Sequence, residues 1–421
     1  MKKYDLIVIG GGFSGCAAAI AAARCGMSVL LAEKSNAPGG AANNCLVNPF
    51  MPYRTNIGGK TVDLSAGFFK EITDELAKCG AFKDKKTAAE TSVFDDEYLK
   101  LILNRMLIKE GVDLLFQCSL YDAVTCGDKI TALKFACVSG SITIEAERFI
   151  DASGDGILAY VSGCPYRLGR EGDSLCQPMT LCFRVGNVDL EKYREERPLI
   201  NPLYKKYREE GRIKNIREDV LIFNTVHAGM LHFNSTRIVR KNPTDVFDVT
   251  RAEIEAREQA FELMSFLKEN FEAFKNAEII YTAAQIGVRE SRMFEGEYTL
   301  TGEDLTECRR FKDSIALGNY DIDIHNPEGT GTSHYYFKDG EYYTIPYRCM
   351  VVKKYKNLLV TGRCISTTHE AQASIRIMPI VCCLGEAAGY GAAVAWKNGS
   401  SMKDADIAEI QKLIKENGGF C

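Results

Sequence analysis

The order of hydrophobic and polar positions gives the chain an α/β beginning, a mixed middle and an α/β end. Residues 4–9 form a short apolar run, which is typical of a buried parallel strand. A glycine-rich turn follows, then an alanine-rich helix over residues 16–25 and a second buried strand over 28–32. This β-α-β order predicts a parallel sheet covered by helices.

The α/β pattern continues to residue 152. Helices are predicted over residues 65–79 and 96–110. Short strand-like runs separated by turn residues predict a β-meander, with strands over 113–117, 120–125, 130–138 and 141–146. A further buried strand over 148–152 ends at another glycine-containing turn.

The middle of the chain has a different pattern. Residues 190–219 are dense in charges of both signs and predict a solvated pair of helices. Residues 250–274 predict one long helix, because their apolar positions recur at helical spacing. Residues 320–343 are rich in Gly, His and Tyr, which is typical of a loop-rich wall or lid of a site.

The α/β pattern returns near the end of the chain, with a strand over 357–361 and a long helix after Pro379. We therefore predict an α/β protein with a discontinuous Rossmann-type domain. Its first part covers residues 1–165 and its second part 344–421, and an inserted α+β substrate or cap domain covers 166–343.

The first turn carries Gly10, Gly12 and Gly15 in the spacing GxGxxG, between a strand and a helix. Gly10 permits the tight turn, Gly12 lets the backbone approach a pyrophosphate, and Gly15 lets the helix pack closely on the strand. The helix N-terminus then faces the phosphates. Glu33 ends the second strand, where a carboxylate accepts hydrogen bonds from adenosine ribose hydroxyls. The motif predicts a dinucleotide site, which FAD and NAD would both satisfy.

Charge and composition exclude several classes of protein. The chain has 52 Lys and Arg against 56 Asp and Glu, so it lacks the basic surplus expected of a nucleic-acid-binding protein. Its 16 cysteines are scattered without a CxxC pair, which favours neither a structural zinc site nor an iron–sulfur cluster. We expect no metal site, and the free thiols with no signal peptide predict a cytoplasmic protein.

One apolar stretch, residues 377–396, is long enough to cross a membrane, but it holds several glycines and alanines. We expect it to be a buried helix, not a membrane span.

Downstream glycine turns give the chain a family resemblance. It resembles the two-dinucleotide-fold flavoproteins of the glutathione-reductase type. More closely, it resembles the bacterial FAD-dependent oxidoreductases, which are related to the flavoproteins of fumarate reductase and succinate dehydrogenase. The blocks that carry the resemblance extend over nearly the whole chain, at residues 10–15, 39–40, 46–51, 151–156, 232–237, 287–292, 321–325, 345–348, 357–366, 369–371 and 385–389.

The resemblance implies FAD as the cofactor, bound in an extended form. Gly39 and Gly40 would pass close to the pyrophosphate and ribityl chain, and the backbone of Leu120 would hold the adenine. A helix N-terminus near Gly385 and Gly389 would face the flavin ring and stabilise its reduced, anionic form. The other residues implied to bind the cofactor, besides those of the first motif, are Phe13, Ser14, Lys34, Ala41, Asn44, Ser153, Gly154, Asp155, Gly362 and Arg363.

His369 is the first candidate acid or base, because it follows the Gly362 turn closely and an imidazole exchanges protons near neutral pH. Arg348 and Arg376 are candidates for orienting an anionic or polyhydroxylated substrate, because guanidinium binds carboxylates in a bidentate manner. The remaining catalytic candidates are Tyr347, His232 and His334. For Arg289 and Arg292, a role in the site and a role in bridging the two domains both stay open.

These observations predict a hydride transfer between a substrate carbon and flavin N5. Reduction or desaturation of an unsaturated carboxylate and oxidation of a hydroxyl carbon are both open, as is a flavin redox sensor or electron-transfer subunit without turnover. Phe50 stands where a disulfide reductase would have its second cysteine after Cys45, so thiol–disulfide chemistry is not expected. We expect a small-molecule substrate, an electron partner that the sequence does not name, and a homodimer.

Overall fold

The structure is a computed structural model that describes residues 3–421. Residues 1 and 2, which the sequence places ahead of the first strand, lie outside the described residues. The strands in chain order are β1 (Tyr4–Ile9), β2 (Val29–Ala32), β3 (Arg54–Ile57), β4 (Lys60–Asp63), β5 (Phe82–Lys83), β6 (Val93–Phe94), β7 (Asp113–Leu115), β8 (Ser119–Cys126), β9 (Lys129–Cys137), β10 (Gly140–Asp151), β11 (Tyr166–Leu168), β12 (Phe183–Gly186), β13 (Ile222–Asn224), β14 (Leu231–Phe233), β15 (Glu278–Thr282), β16 (Arg292–Phe294), β17 (Ser314–Gly318), β18 (Ile322–His325), β19 (Thr332–Tyr335), β20 (Tyr343–Pro346) and β21 (Leu358–Val360).

The α-helices lie between these strands and at the end of the chain. They are α1 (Phe13–Arg24), α2 (Ala41–Asn44), α3 (Phe68–Lys78), α4 (Asp96–Lys109), α5 (Ile157–Val161), α6 (Leu190–Glu209), α7 (Val246–Asn270), α8 (Gly302–Thr306), α9 (His369–Ile375), α10 (Met378–Lys397) and α11 (Ile407–Glu416).

A central parallel sheet joins the two ends of the chain. Its strands lie in the order β7-β2-β1-β10-β21. The register pairs Ile9 with Ala32 and with Asp151, and Asp151 with Val360. The carboxyl ends of these strands therefore meet at one edge of the sheet, which is where open α/β sheets bind their ligands.

The predicted β-meander is present as β8, β9 and β10. One correction concerns its last strand, because the two predicted strands over 141–146 and 148–152 are the single strand β10. Its first half pairs antiparallel with β9 and its second half pairs parallel with β1. The exposed side chain of Glu147 interrupts the apolar pattern between the two halves, but the backbone continues in the ladder.

The middle of the chain forms a four-stranded antiparallel sheet in the order β13-β14-β12-β15. Phe183 and Phe233 stack in its core, with ring centroids 4.9 Å apart, and side chains of α6 and α7 complete that core. The predicted helical pair over 190–219 is wrong, since α6 is one helix that ends at Glu209. Pro198 and Pro202 lie inside it without ending it.

Residues 320–343, predicted as loop-rich, contain the β18–β19 hairpin. The long helix predicted after Pro379 is confirmed as α10. It is the one helix among residues 3–421 that is long and apolar enough to cross a membrane, and its whole apolar window is buried inside the protein. The predicted fold class is confirmed, and the domain boundaries at 165 and 343 stay predictions.

Candidate functional site

Glycines from three separate turns meet at the N-terminus of α1. Gly12 is the residue before the helix, and no side chain caps it. The Gly39 N–H donates to Gly11 O at 2.7 Å, and a Cβ on Gly40 would lie 2.8 Å from Gly12 Cα. A Cβ on Gly362 would contact Ser14 Cβ at 3.5 Å. The helix N-terminus is therefore surrounded by backbone without side chains, which is the surface that a pyrophosphate requires.

The other residues of the first motif hold this turn in place. A Cβ on Gly10 would lie 2.6 Å from Ala152 O, and a Cβ on Gly15 would overlap Gly10 O. The Ser14 hydroxyl lies 3.0 Å from the Thr361 hydroxyl. Phe13 is buried, with its ring in the hydrophobic core, so its backbone at the first turn of α1 is the part that faces the cleft.

Glu33 lies beside the turn, as predicted. Its carboxylate accepts the Gly11 N–H at 2.6 Å and the N–H and hydroxyl of Ser35 at 2.8 Å. Lys34 is exposed next to it. Leu120 is buried at the start of β8, two residues after Cys118, whose N–H donates to Glu33 O at 3.3 Å. The carboxylate, the lysine and the start of β8 thus lie together at the predicted adenosine end.

The turn after β10 forms an ion pair with the turn after β21. Arg363 Nη2 donates to Asp155 Oδ1 at 2.6 Å, and the Ser291 hydroxyl donates to the same oxygen at 2.8 Å. Burial opposes ionisation of Asp155, but the charges of Arg363 and Lys34 outweigh it and lower the pKa of the carboxyl. Gly154 lies under the Arg363 side chain, so this pair closes one side of the cleft.

Ser153 has a local partner, because its hydroxyl donates to Asp151 Oδ1 at 2.6 Å. The residues between the turns remain partly open to solvent. Ala41 is exposed, and Gly12, Gly40, Asn44, Gly154 and Asp155 are partly exposed although loops from both ends of the chain surround them. An uncapped helix N-terminus, a carboxylate beside it and an open cleft between glycine turns fit an extended FAD.

Gly385 and Gly389 do not lie in this cleft, which corrects their predicted role. They fall in the third and fourth turns of α10, where a Cβ would overlap Ser14 O and Ala18 O of α1. Their function is to let the two helices pack closely. The N-terminus of α10 lies at Met378, directly after Ile377.

His369 begins α9, whose N-cap is Thr368. Its Nδ1 lies 2.7 Å from Glu290 Oε1, and Glu290 is fully buried. A carboxylate only accepts hydrogen bonds, so the imidazole proton lies on Nδ1. Nε2 makes no hydrogen bond within residues 3–421. This ring nitrogen is therefore free to accept a proton from a ligand.

A chain of amides fixes the His369–Glu290 pair. The Gln177 N–H donates to Glu290 Oε2 at 2.9 Å, and the Gln177 side-chain amide donates to Gln372 Oε1 at 3.2 Å. The Gln372 amide in turn donates to Arg289 O at 2.7 Å. Because Glu290, Gln177 and Gln372 are all buried and hydrogen-bonded, the imidazole has one defined orientation.

A cavity of about 500 Å³ opens beside His369. Residues 166–172 and Ser174 line one side of it, and residues 368–370 line the other. Arg167 crosses between the two sides, where its guanidinium donates to Thr367 O. The imidazole thus lies in the wall of a space large enough for a small molecule.

Arg376 and His334 belong to a second polar cluster, around Asp323. Arg376 Nη2 lies 3.3 Å from Asp323 Oδ2, and the Tyr320 hydroxyl donates to the same oxygen at 3.0 Å. His334 Nδ1 lies 2.5 Å from Asp321 Oδ2. Ligand atoms of His334, Asp321 and Asp323 lie within 4.8 Å of one another, a spacing that a metal ion could use, although His334 Nδ1, Asp321 Oδ2 and Asp323 Oδ2 already have protein partners.

His325 also joins this cluster, through Asp323 Oδ2 at 3.3 Å. Burial, and then the charge of Arg289, lowers the pKa of His325 to about 3, although Asp323 opposes the shift. His325 is therefore neutral at pH 7.

Three predicted catalytic residues lie elsewhere, and their roles are corrected. Tyr347 is buried against Gly391, and its hydroxyl donates to Met402 O at 2.8 Å. Arg348 is half-exposed and pairs with Asp313 at 2.8 Å. His232 is fully buried in β14. Tyr347 and Arg348 lie in the family block 345–348, but membership of a block does not tell which way a side chain points.

Sequence reasoning missed Glu290 and the two glutamines Gln177 and Gln372 as functional residues. Glu290 lies inside the block 287–292, between Arg289 and Arg292. The feature that could have indicated a role for Glu290 is an acidic residue in a segment without the pattern of an exposed helix. Gln177 and Gln372 gave no signal, because amide side chains are common and only the tertiary contacts show their partners.

The parallel sheet and the cleft at its edge define a flavoprotein with a Rossmann-type cofactor-binding fold. A family model described as FAD dependent oxidoreductase matches residues 5–414, and the chain belongs to that family. The protein is therefore an FAD-dependent oxidoreductase, which confirms the predicted cofactor and enzyme class.

Individual relatives are more distant. The chain is 36% identical over 127 residues to glutathione reductase of Debaryomyces hansenii, which is 28% of this chain and 24% of that protein. The match thus spans about a quarter of the relative. Among solved structures, a triple mutant of the flavin-dependent brominase Bmp2 covers 98% of this chain and 85% of its own, with a TM-score of 0.50 and 13% identity. This likeness shows the fold alone.

A geranylgeranyl bacteriochlorophyll reductase-like protein from Thermoplasma acidophilum is also similar, with a TM-score of 0.46 and 13% identity, covering 99% of this chain and 83% of that one.

Proposed function

We propose that this oxidoreductase transfers a hydride between a carbon of a small-molecule substrate and FAD, with His369 as the acid or base. The observation that supports the proposal most directly is the imidazole held by Glu290 at 2.7 Å, with its second nitrogen free beside a cavity. Bound FAD would supply the hydride acceptor or donor at N5.

The protein's own groups would handle the proton. When a hydroxyl carbon is oxidised, its O–H proton has to leave, and neutral Nε2 of His369 accepts it while Glu290 stabilises the resulting imidazolium. In the reverse direction the imidazolium donates from Nε2. Because Glu290 has no contact with water, its carboxylate acts on the imidazole more strongly than a solvated acid would.

The test is the His369→Asn variant of the FAD-loaded protein. Asparagine keeps a polar group of similar size at the start of α9 but cannot carry a proton at neutral pH. We expect the rate of anaerobic flavin bleaching by substrate to fall about a hundredfold or more, which is the usual contribution of general acid–base catalysis. The measurement is stopped-flow absorbance over a range of pH, with panels of hydroxy acids, unsaturated acids and sugars as substrates.

The matched control is His227→Asn, because the His227 side chain is 51% exposed and pairs with Asp95 far along the chain from this site. It should bleach at the wild-type rate. Equal rates for the His369→Asn variant and the wild type, with any substrate that bleaches the flavin, would exclude His369 as the acid or base.

A further inference from the structure

Arg289 is partly exposed as a residue, and the hydrogen-bond partners of its guanidinium are all neutral. Nη1 donates to Pro178 O at 2.7 Å and to the Thr180 hydroxyl at 2.6 Å, and Nη2 lies 3.3 Å from Asn234 Oδ1. No carboxylate lies within 4.0 Å of this guanidinium among the described residues, 3–421. A guanidinium has five N–H donors, so the Nε–H and one N–H of Nη2 remain available.

Other cations surround Arg289. Burial, and then the charges of Arg376 and Arg217, lowers the pKa of Arg289 to about 9. The charge of Asp323 opposes this shift, but Asp323 is bonded to Arg376, Tyr320 and His325. Neutral His325 adds no negative charge. The protein thus holds the charge of Arg289 among protein groups with no carboxylate paired directly to it, which is unfavourable unless an anion binds there.

The position of Arg289 links this charge to the reacting region. The segment before it runs along the cofactor loop, because the Gln285 N–H donates to Asn44 O at 3.0 Å and a Cβ on Gly287 would lie 3.7 Å from Cys45 Cβ. The next residue is Glu290, which holds His369. One short segment therefore carries the free cation, borders the cofactor loop and orients the acid or base.

We propose that Arg289 binds the carboxylate of a small organic acid, and that this acid is the substrate of the reaction proposed above. The Nε–H and the remaining Nη2–H give two donors for the two oxygens of a carboxylate. The Asn234 amide lies beside them. The statement that the acid is a substrate rests on the proposed function. The anion site itself rests only on the surroundings of Arg289.

The test is ligand binding to the oxidised, FAD-loaded protein. Binding is measured by calorimetry and by the change in the flavin absorbance spectrum. The probes are succinate, fumarate, lactate and benzoate, with glycerol and acetamide as uncharged probes and phosphate and sulfate as inorganic anions. We expect saturable binding of at least one carboxylate. The Arg289→Gln variant should weaken that binding about tenfold or more, and Arg289→Lys should restore only part of it, since lysine lacks the planar fork.

Arg348→Gln is the matched control, because Arg348 forms a surface ion pair with Asp313 and should leave binding unchanged. Arg289→Gln is expected to fold, since it removes a charge that has no partner. The proposal is overturned if no carboxylate binds, if Arg289→Gln binds as tightly as the wild type, or if phosphate or sulfate binds as tightly as the best carboxylate.

The His369→Asn variant separates this proposal from the proposed function. It should bind carboxylates normally while bleaching of its flavin is slow. Suppose that carboxylate binding is lost in Arg289→Gln but that no organic acid bleaches the flavin of the wild-type protein. That result would support the anion site and contradict the hydride transfer.

Discussion

Single side chains decide what the histidines of this protein can do. His369 and His232 are both buried, yet their surroundings differ. His369 has a buried carboxylate 2.7 Å from Nδ1, which fixes the orientation of the ring. His232 has no hydrogen-bond partner for either ring nitrogen among residues 3–421, and it lies near the charge of Arg184. The surroundings of His369 suit proton transfer, and those of His232 keep its imidazole neutral.

The neutral His232 predicts a pH dependence of stability. Burial, and then the charge of Arg184, lowers the pKa of His232 well below 6.5. The folded state therefore binds fewer protons than the unfolded state, so this contribution is present above pH 6.5 and is lost as the pH falls toward the folded pKa. The loss from His232 alone approaches about 1.4 kcal/mol per pH unit.

The measurement for His232 is the free energy of unfolding in urea at a series of pH values from neutral to acidic. The His232→Leu variant should lose less stability on acidification than the wild type, because leucine has no proton to bind. Equal slopes for the two proteins would show that His232 does not take up a proton on unfolding.

At the scale of elements, close packing of α1 on α10 brings the two ends of the chain together. Both helices are rich in small residues on their facing sides, and Gly385 and Gly389 leave no space for a Cβ beside α1. The contact begins at Ser14 in the first turn of α1, the turn that is predicted to bind the phosphates. A shift of α10 would therefore move the turn that carries Gly12.

We predict that Gly385→Ala destabilises the protein by about 3 kcal/mol, because the added Cβ would overlap the backbone oxygen of Ser14. The higher helix propensity of alanine, about 1 kcal/mol, is too small to offset this overlap. Thermal or urea unfolding measures the change. Gly329→Ala is the control, since a Cβ at Gly329 meets no atom within 4 Å. A Gly385→Ala protein as stable as this control would mean that the two helices separate without cost.

At the scale of the whole molecule, the cofactor cleft is assembled from distant parts of the chain. Gly12, Gly40, Asp155 and Arg363 border it, and the sheet register brings their turns to one edge. A ligand that contacts all of these turns binds the folded state and not the unfolded chain. FAD should therefore stabilise the entire fold.

We predict that FAD at about a hundredfold excess over its Kd raises the free energy of unfolding by about 2.7 kcal/mol. The measurement compares FAD-depleted and reconstituted protein by thermal unfolding. Gly12→Val is the control, because its φ of −69° suits any residue and only Gly40 Cα lies near its Cβ, at 3.8 Å. The variant should fold without FAD and gain no stability from it. Stabilisation of Gly12→Val equal to that of the wild type would place the cofactor elsewhere.

The local sequence determined the secondary-structure elements and turns of this protein, which depend mainly on neighbouring residues. The apolar runs, the glycine spacing and Glu33 predicted the β-α-β unit and its dinucleotide site, because strand, turn and helix preferences act over a few residues. Several elements, such as α4 and α10, were predicted within a few residues of their observed ends. The family resemblance, carried by blocks along the whole chain, selected FAD.

Only the tertiary structure decided which side chains meet. Glu290 and His369 are 79 residues apart in the chain. Arg348 and Tyr347 lie in the same family block, but the side chain of Arg348 points to the surface and that of Tyr347 points into the core. Gly385 and Gly389 turned out to face a helix and not a cofactor. The direction of a side chain and the charge around it depend on residues far along the chain, so no local pattern contains them. For that reason the sequence indicated the fold and the cofactor, whereas only the structure placed Glu290 beside His369 and left Arg289 without a paired carboxylate among residues 3–421.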